Sequence, residues 1–600
     1  MLSRASTFAL FDDNLERRGD LLLADLRDVL VCATADELDA AFTAVDAARA
    51  RGCWVALAVS YELGYALEPR LASRASAGPL LTAWVFGTAR HLTSDETERA
   101  LREAIDAFDE HGRCAGVGGL TRALSQQTHG QAVARILDLI AAGDCYQVNY
   151  THALDGELYG DPLALYEQLR RRQPVRFGAF VSHPDGSILS RSPELFVARS
   201  ARRLVCRPMK GTAPRDADPA WLAGSEKNRA ENLMIVDLIR NDLGRLAPAG
   251  GVRVERLFEI EAYPSVWQMT STISAEPVDA DLRTIFKALF PCGSITGAPK
   301  IRAMEVIHAL EQAPRGLYCG ALGWIAPSGD FRFSVPIRTL VAGRDGRVRI
   351  GIGSGIVADS DPADEWAESL LKARFVTGLQ PSFGLIETLR CEGQSDQPYP
   401  LLERHLARLT ASAAWFGFAL DASALRSALM THAASASGTQ RVRIVLHPDG
   451  RFALEGAPLA ALPAGPLSVT LAPEAVCSTD RLLRHKTTAR ALYDRELERA
   501  VRAGHFDVLF FNERGELTEG ARSNVFIDKG DGVLHTPPLA SGVLDGVFRR
   551  KLLDEGRVRE TRLTRDDLRA ARSIHVANAL RGLLHVRIDD GVLDGAPHLA

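Results

Sequence analysis

Two kinds of apolar pattern alternate along this chain. Near-continuous apolar runs such as Trp54-Val-Ala-Leu-Ala-Val59 and Leu81-Thr-Ala-Trp-Val-Phe86 predict strands, and the Ala/Arg/Glu-rich stretches between them predict helices. From Ser125 a helical period runs through Val133, Ile136, Leu137 and Ile140, with Gly143 as its stop. Residues 226–244 carry a helical stripe at Leu233, Val236, Ile239 and Leu243. A further helix is predicted after Ser360-Asp-Pro362, where a capping side chain precedes a proline at the first helical position. It runs through Trp366, Leu370 and Leu371 to about Phe375.

Breaks in these patterns set the domain boundaries. Residues 111–119, with four glycines, predict a loop or linker. Thr377-Gly-Leu-Gln-Pro-Ser382 ends the last helix, and Phe383-Gly-Leu-Ile-Glu-Thr-Leu-Arg390 begins like the first strand of a new domain. The expected division is therefore 1–375, a linker at 376–382, and 383–600. Within the second part, Ala460-Ala-Leu-Pro-Ala-Gly-Pro466 predicts an internal loop or hinge, and no repeat recurs at a solenoid period.

Composition narrows the class. Six hundred residues exceed what one hydrophobic core usually supports, and 46% apolar with 24% charged residues is ordinary globular usage. A net charge of -4 gives no pull toward nucleic acid or an anionic membrane. No apolar run reaches the length of a membrane span, and Met1-Leu-Ser-Arg-Ala-Ser-Thr-Phe8 lacks a secretory apolar stretch. Nine cysteines without a Cys-x-x-Cys pair argue against a disulfide scaffold or zinc knuckle, so a cytoplasmic location is expected.

Charge usage then singles out two side chains. The chain has 63 arginines and eight lysines, and a guanidinium is neither a nucleophile nor a Schiff-base former. Lys210 stands in Arg207-Pro-Met-Lys-Gly-Thr212 and Lys486 in Arg484-His-Lys-Thr-Thr-Ala-Arg490, both in settings that suit an amine with a chemical task. Glu365, Glu368 and Lys372 fall at i, i+3 and i+7 on one helix face, and Asn228 and Glu231 share a face of the earlier helix. Two such acidic faces could converge on a hard cation such as magnesium, although bare Glu-x-x-Glu is ordinarily a solvated face. Between them, Pro291-Cys-Gly-Ser-Ile-Thr-Gly-Ala-Pro-Lys300 and Gly351-Ile-Gly-Ser-Gly-Ile-Val357 are small-residue loops able to present backbone N–H groups to an anion, and neither matches a nucleotide fingerprint.

Residues from about 50 to 375 resemble the chorismate-utilising enzymes, and most closely their aminodeoxychorismate synthase component I branch. The matching segments are Ser60-Tyr-Glu-Leu-Gly64, Gly143-Asp-Cys-Tyr-Gln-Val-Asn149, Ser192-Pro-Glu194, Pro208-Met-Lys-Gly-Thr212, the run from Ala230 to Asp242, the run from Gly293 to Met304, and Gly353-Ser-Gly-Ile-Val-Ala-Asp-Ser360 leading to Glu365 and Glu368. The resemblance implies a magnesium ion held by Glu231, Glu365 and Glu368, Lys210 as a nucleophile toward the ring, and Glu194 as general acid–base. It implies substrate contacts at Ser294, Thr296, Tyr318, Arg338, Gly353, Gly355 and Lys372. A lysine at the Lys210 position marks the aminodeoxychorismate branch. Anthranilate synthases, similar over the same span, carry a small residue there. Two departures stand out: Gln268 occupies a run where many relatives have a histidine, and Asn228 stands where anthranilate synthases have a glutamate.

The second part contains three lysines, Lys486, Lys529 and Lys551; Lys529 lies in a turn and Lys551 in a basic helical run. With Arg408, Glu519 and the helix-opening run Leu544-Asp-Gly-Val-Phe-Arg549, these residues resemble the fold-type IV pyridoxal phosphate enzymes, specifically the 4-amino-4-deoxychorismate lyase branch. The resemblance implies that Lys486 carries pyridoxal 5'-phosphate, that Glu519 pairs with the pyridine nitrogen, and that Arg408 binds the phosphate. Gly546, Val547, Asn578 and Ala579 would complete the phosphate cup, and Glu387-Thr-Leu-Arg390 would lie near the substrate. Branched-chain and D-amino acid aminotransferases share this frame.

The expected architecture is thus α+β and α/β: a chorismate-binding β-sandwich with helices, followed by a two-subdomain fold-type IV pyridoxal phosphate domain. The implied function is two-step p-aminobenzoate synthesis from chorismate and ammonia. The alternative is an anthranilate-type enzyme joined to an aminotransferase. No segment resembles a glutamine amidotransferase with its Gly-x-Cys-x-Gly turn, so ammonia would come from solution or from a separate amidotransferase subunit. Association into a homodimer through the second domain is compatible with that frame.

Overall fold

The run Trp54–Val59 is apolar on both faces because both faces are covered. Val55, Leu57 and Val59 join the main core, whereas Trp54, Ala56 and Ala58 face a second apolar layer with Trp84, Phe86, Val181 and Ile188. A strand buried on both sides reads as a continuous apolar run rather than an alternating one. The computed structural model describes residues 6–74, 78–264 and 266–588, so both outer ends of the expected division lie outside the described residues.

The chain divides into two compact units. In the first, Gln147–Tyr159 pairs antiparallel with Arg347–Ile356, from Val148 opposite Ile356 to Glu157 opposite Arg347. Pairing continues through Thr339–Gly343, Gly186–Ser192, Phe177–His183, Phe8–Asp12, Asp20–Cys32, Leu81–Leu92 and Trp54–Val59 to Ala321–Ile325. It then passes through Phe331–Ser334, Leu195–Ser200 and Arg203–Arg207 to Val266–Ala275, which also pairs with Met209–Pro214 and Val252–Ala262. Helices supply Phe42, Ile136, Ile239, Phe286 and Met304 to the main core.

Helix ends follow the capping chemistry in the sequence. Ser125 accepts from the Thr128 amide at 3.1 Å and opens Gln126–Ala141. Asp361 accepts from the Ala363 and Asp364 amides at 2.8 and 3.1 Å, with Pro362 at the first helical position of Pro362–Thr377. Two expectations need correction. In Glu226–Gly244, Leu233 is 44% exposed, and the buried face runs through Asn232, Ile235, Val236, Ile239 and Leu243, with the polar Asn232 taking a buried position through its hydrogen bonds. The glycine-rich stretch 111–119 is not a linker: it contains part of the helix Glu110–Arg113 and enters the strand Gly116–Arg122.

The second unit contains two sheets. Leu385–Glu392, Thr439–Leu446 and Phe452–Pro458 form an antiparallel sheet backed by the helices Leu402–Phe416 and Ala422–Ser435. After the irregular stretch that includes Ala460 to Gly465, Leu467–Leu471 pairs in parallel with both Asp507–Phe511 and Gly582–Ile588 inside an eight-stranded mixed sheet. This unit differs from a contiguous 383–600, because it also takes in Phe108–Gly119 and Leu158–Asp161. Tyr159 explains part of that grouping: its ring packs edge-on against Phe383 and Phe416, inside the core of the smaller sheet. The expected linker is also shorter than 376–382, since the helix continues to Thr377 and the first unit to Leu379.

Candidate active sites

In the first unit, Lys210 lies on Met209–Pro214, and its amine is surrounded by Glu231, Lys372, Glu194 and Glu368. Burial, aided by Lys372, pushes its pKa down despite the carboxylates. At Gly355 beside it, a Cβ would stand only 2.6 Å from the Gln147 side chain and 2.7 Å from Asn149, so glycine leaves room for those two side chains. The lysine backbone is held from behind: Asn232 Nδ2 donates to the Lys210 carbonyl at 3.4 Å, and Gln268 Nε2 donates to the Gly211 carbonyl at 2.8 Å. Gln268 is thus a clamp on the strand that bears the lysine.

Glu194 is 3% exposed and accepts from Ser294 Oγ at 2.5 Å. Burial pushes its carboxyl up to about 7, with Ser294 and Lys210 opposing the shift only partly. A carboxyl poised near neutrality beside an amine with a depressed pKa suits general acid–base work next to a nucleophile. Thr296 is buried in the same loop, its Oγ1 donating to the Cys292 carbonyl at 2.8 Å, while its backbone carbonyl accepts from the Asn149 amide at 3.0 Å. Lys372 Nζ donates to the Gly353 carbonyl at 2.9 Å and pairs with Glu368 at 2.7 Å. The Tyr318 ring packs against Gly351, where a Cβ would come within 2.0 Å of it.

Arg338 is different in kind. Its backbone has φ of 51°, a left-handed conformation costing a non-glycine residue on the order of 1 kcal/mol. Burial without a carboxylate partner lowers its pKa, and its titratable neighbour is Tyr263 rather than Lys210 or Glu194. A strained, buried, unneutralised guanidinium suits an anionic ligand.

The carboxylates expected to bind metal are near one another but not gathered into a cage. Among the described residues, no three His, Cys, Asp or Glu side chains converge as metal ligands do. Glu365 accepts from Ser360 Oγ at 2.5 Å, and its other oxygen is buried with no partner. Burial raises the Glu231 pKa, Asp359 and Glu368 add to the rise, and Lys210 and Lys227 oppose it. The donor chemistry, carboxylate oxygens with one of them buried and without a partner at Glu365, is that of a hard divalent cation, but the side chains would have to close together to ligate one.

In the second unit, a cavity of about 640 Å³ is lined by Lys486, Glu519, Arg408, Val547, Asn578 and Ala579. Burial and the neighbouring Arg490 and Arg408 push the Lys486 amine down to about 8. Glu519 is pushed up to about 7, chiefly by burial, and accepts from the Leu544 amide at 3.1 Å and from Asn524 Nδ2 at 3.2 Å. Gly546 precedes the helix Val547–Asp554, and a Cβ there would meet Asn524 Oδ1 at 1.8 Å. Asn578 Oδ1 accepts from the Leu580 and Arg581 amides at 3.1 Å each, which shapes the turn containing Ala579. Lys529 pairs with Asp567, and Lys551 pairs with Glu555. The cavity therefore offers an amine, a carboxylate, a guanidinium and a helix N-terminus, the donor set that pyridoxal phosphate needs.

Sequence reasoning did not single out the role of Glu387. It grips Arg408 through both oxygens and also binds His405 Nδ1 at 2.6 Å. The signal was the pairing of a strand glutamate with His405 and Arg408 at i and i+3 on the facing helix.

Residues 18–378 match the family model for chorismate binding enzymes, and residues 384–588 match that for class IV amino-transferases. An aminodeoxychorismate synthase component 1 of Klebsiella aerogenes is 42% identical over 257 residues, covering 42% of this chain and 57% of its own. An anthranilate synthase component 1 of Streptomyces coelicolor is 41% identical over 268 residues, covering 43% of this chain and 52% of its own. The chain spans about half the length of these curated relatives. A solved Bacillus anthracis chain described as a 2,3-dihydroxybenzoate-specific isochorismate synthase superposes with a TM-score of 0.50 at 18% identity, covering 62% of this chain and 95% of that one, which supports the fold alone. With a buried amine–carboxyl pair on a helix-covered antiparallel sheet, and the family match extending over more than half its length, the chain belongs to the chorismate binding enzymes, and a class IV aminotransferase-like domain follows.

Proposed function

We propose that this chain makes p-aminobenzoate in two steps. The first unit would convert chorismate and ammonia to 4-amino-4-deoxychorismate and water, and the second would split that product into p-aminobenzoate and pyruvate. The observation carrying this reading is Lys210, whose buried amine faces Glu194 and the carboxylates. Identity alone does not choose between amination at C4 and an anthranilate-type reaction, because relatives of both names match equally well.

In the first site, Lys210 Nζ adds to C2 of the ring as Glu194 gives a proton to the departing 4-hydroxyl, which leaves as water. Ammonia then bonds at C4 and expels the lysine. Glu231, Glu365 and Glu368 would hold magnesium, which when bound supplies a Lewis acid for the ring carboxylate. Arg338 and Lys372 offer cations to the carboxylates, and Ser294 fixes the Glu194 carboxyl.

In the second site, pyridoxal phosphate when bound supplies an electron sink for the carbon bearing the new amine. Lys486 would hold the cofactor, and its amine, once free, would take the C4 proton. Glu519 would pair with the pyridine nitrogen. Gly546, Val547, Asn578 and Ala579 would hold the phosphate, with Arg408 adding a guanidinium. The C3–O bond breaks as the ring becomes aromatic, so a modest base suffices.

The ammonia source would be a separate glutamine amidotransferase subunit, in keeping with relatives named as component 1 of a synthase. Among the described residues no helix is long and apolar enough to cross a membrane. Incubation with chorismate, an ammonium salt, magnesium and pyridoxal phosphate tests the whole reading. Equal amounts of p-aminobenzoate and pyruvate are expected. Anthranilate as the main aromatic product would overturn the first step, and pyridoxamine phosphate accumulating with an amino acid donor would overturn the second.

A further inference from the structure

The loop carrying Lys486 is fixed on one side by the strand that precedes it in sequence. Ile386 N donates to the Lys486 carbonyl at 2.7 Å, and Thr488 N donates to the Gly384 carbonyl at 2.8 Å. The two ends of that loop, at Asp480 and Ala489, are tied by something else. His111, in the short segment 108–119 that belongs to the second unit, places Nδ1 2.5 Å from Asp480 Oδ2 and Nε2 2.9 Å from the Ala489 carbonyl.

Both partners are acceptors, a carboxylate and a carbonyl. The ring can satisfy both only by donating from both nitrogens, which means an imidazolium. Burial alone would lower its pKa, but Asp480 as hydrogen-bond partner and counter-charge, with the Ala489 carbonyl and Asp109, holds it up to about 9. Asp480 also caps the turn Arg481–Arg484, accepting from the Leu482 amide at 2.9 Å, and that turn leads directly into Lys486. Next to His111, Glu110 accepts from the Ala491 amide at 2.6 Å, where the helix Ala491–Arg502 begins. His111 itself lines the cavity that contains Lys486.

We propose that His111 is a positioning residue for the second site: it staples positions 480 and 489 together and so fixes the height and orientation of Lys486. This rests on the reading of Lys486 as the cofactor lysine. The second unit's chemistry then depends on residues placed some 370 positions earlier, so the lyase-like part is not self-sufficient as residues 383–600.

The test uses the full-length chain loaded with pyridoxal phosphate. In His111→Ala, the pH midpoint of the lysine-bound cofactor's visible absorbance should shift by at least half a pH unit. Turnover of supplied aminodeoxychorismate should fall five- to tenfold in kcat, with KM changed less than twofold. Formation of aminodeoxychorismate from chorismate should be unaffected. Asp480→Asn, which keeps the shape and removes the counter-charge, should move the midpoint in the same direction by less, and it carries the test if His111→Ala does not fold. A merely structural role would lower Tm and leave the midpoint in place. An unmoved midpoint with unchanged kcat in a folded variant overturns the proposal alone. Wild-type protein without any visible cofactor band overturns the reading of Lys486 and the proposal with it.

Discussion

Glu387 holds Arg408 through two parallel hydrogen bonds, 2.8 Å from Nε to Oε1 and 2.7 Å from Nη2 to Oε2. That edge of the guanidinium is therefore occupied within the protein. Nη1 donates to the Asp545 carbonyl at 3.3 Å, so one N–H on Nη1 and one on Nη2 would remain to meet a phosphate. The backbone amides that open Val547–Asp554 would then carry much of the phosphate binding.

Glu387→Gln should leave Arg408 and His405 buried without their counter-charge. Breaking a buried pair in this way costs about 3–5 kcal/mol, or roughly 6–20 °C in Tm for a domain of this size. Cofactor Kd should rise at least tenfold. Arg408 and His405 overcome the effect of burial and hold the Glu387 carboxyl down at about 2. Because the folded pKa lies below the unfolded one, this stabilisation is present above the ordinary carboxylate range and is lost as pH falls toward 2. Thermal melts of wild type and variant from pH 2 to 7 should converge toward the acid end. Parallel curves would contradict the pairing.

Glu194 gives the opposite sign. Burial raises its folded pKa to about 7, so its contribution favours folding at low pH and is lost as pH rises through 7. Glu194→Gln should therefore stabilise the first unit above neutrality while lowering synthase kcat by roughly 10²- to 10⁴-fold. The wild-type synthase rate should show an apparent pKa near 7 that is absent from residual activity in the variant. A variant that retains full activity would remove Glu194 from the chemistry.

Lys486→Ala should abolish the visible absorbance of the lysine-bound cofactor and let aminodeoxychorismate accumulate, because the first site keeps its own residues. Lys486→Arg should fail equally, since a guanidinium forms no imine. Absorbance spectra and product analysis check both. Lys529 and Lys551, each engaged with a surface carboxylate, should not substitute.

The sites were more legible than the path of the chain. Lys210, Glu194 and Ser294 carry their chemistry in local motifs, and the structure gathers them. Ser125 and Asp361 announced their helices because a capping side chain acts within three residues. The roles of Glu387 and His111 were hidden because each depends on a partner far away in sequence, 21 positions for Arg408 and 369 for Asp480. Residues 111–119 misled for the same reason: glycine content signals a turn, but not which core the turn belongs to. Leu233 misled because Asn232 was buried by hydrogen bonds that periodicity does not register.

Lys210→Arg separates the nucleophile from the counter-ion. If Lys210 only neutralised a substrate carboxylate, arginine would keep the charge and much of the synthase activity. If its amine adds to the ring, arginine supplies no free nucleophile, and synthase kcat should fall as far as in Lys210→Ala. The depressed pKa of the buried amine favours the second case, since a pure counter-ion gains nothing from an environment that discourages its charge. Conversion of supplied aminodeoxychorismate should be unchanged in both variants, which guards against general loss of fold. Rates with saturating chorismate and ammonium decide the matter. Near-wild-type turnover in Lys210→Arg would overturn the nucleophile and leave the family membership standing.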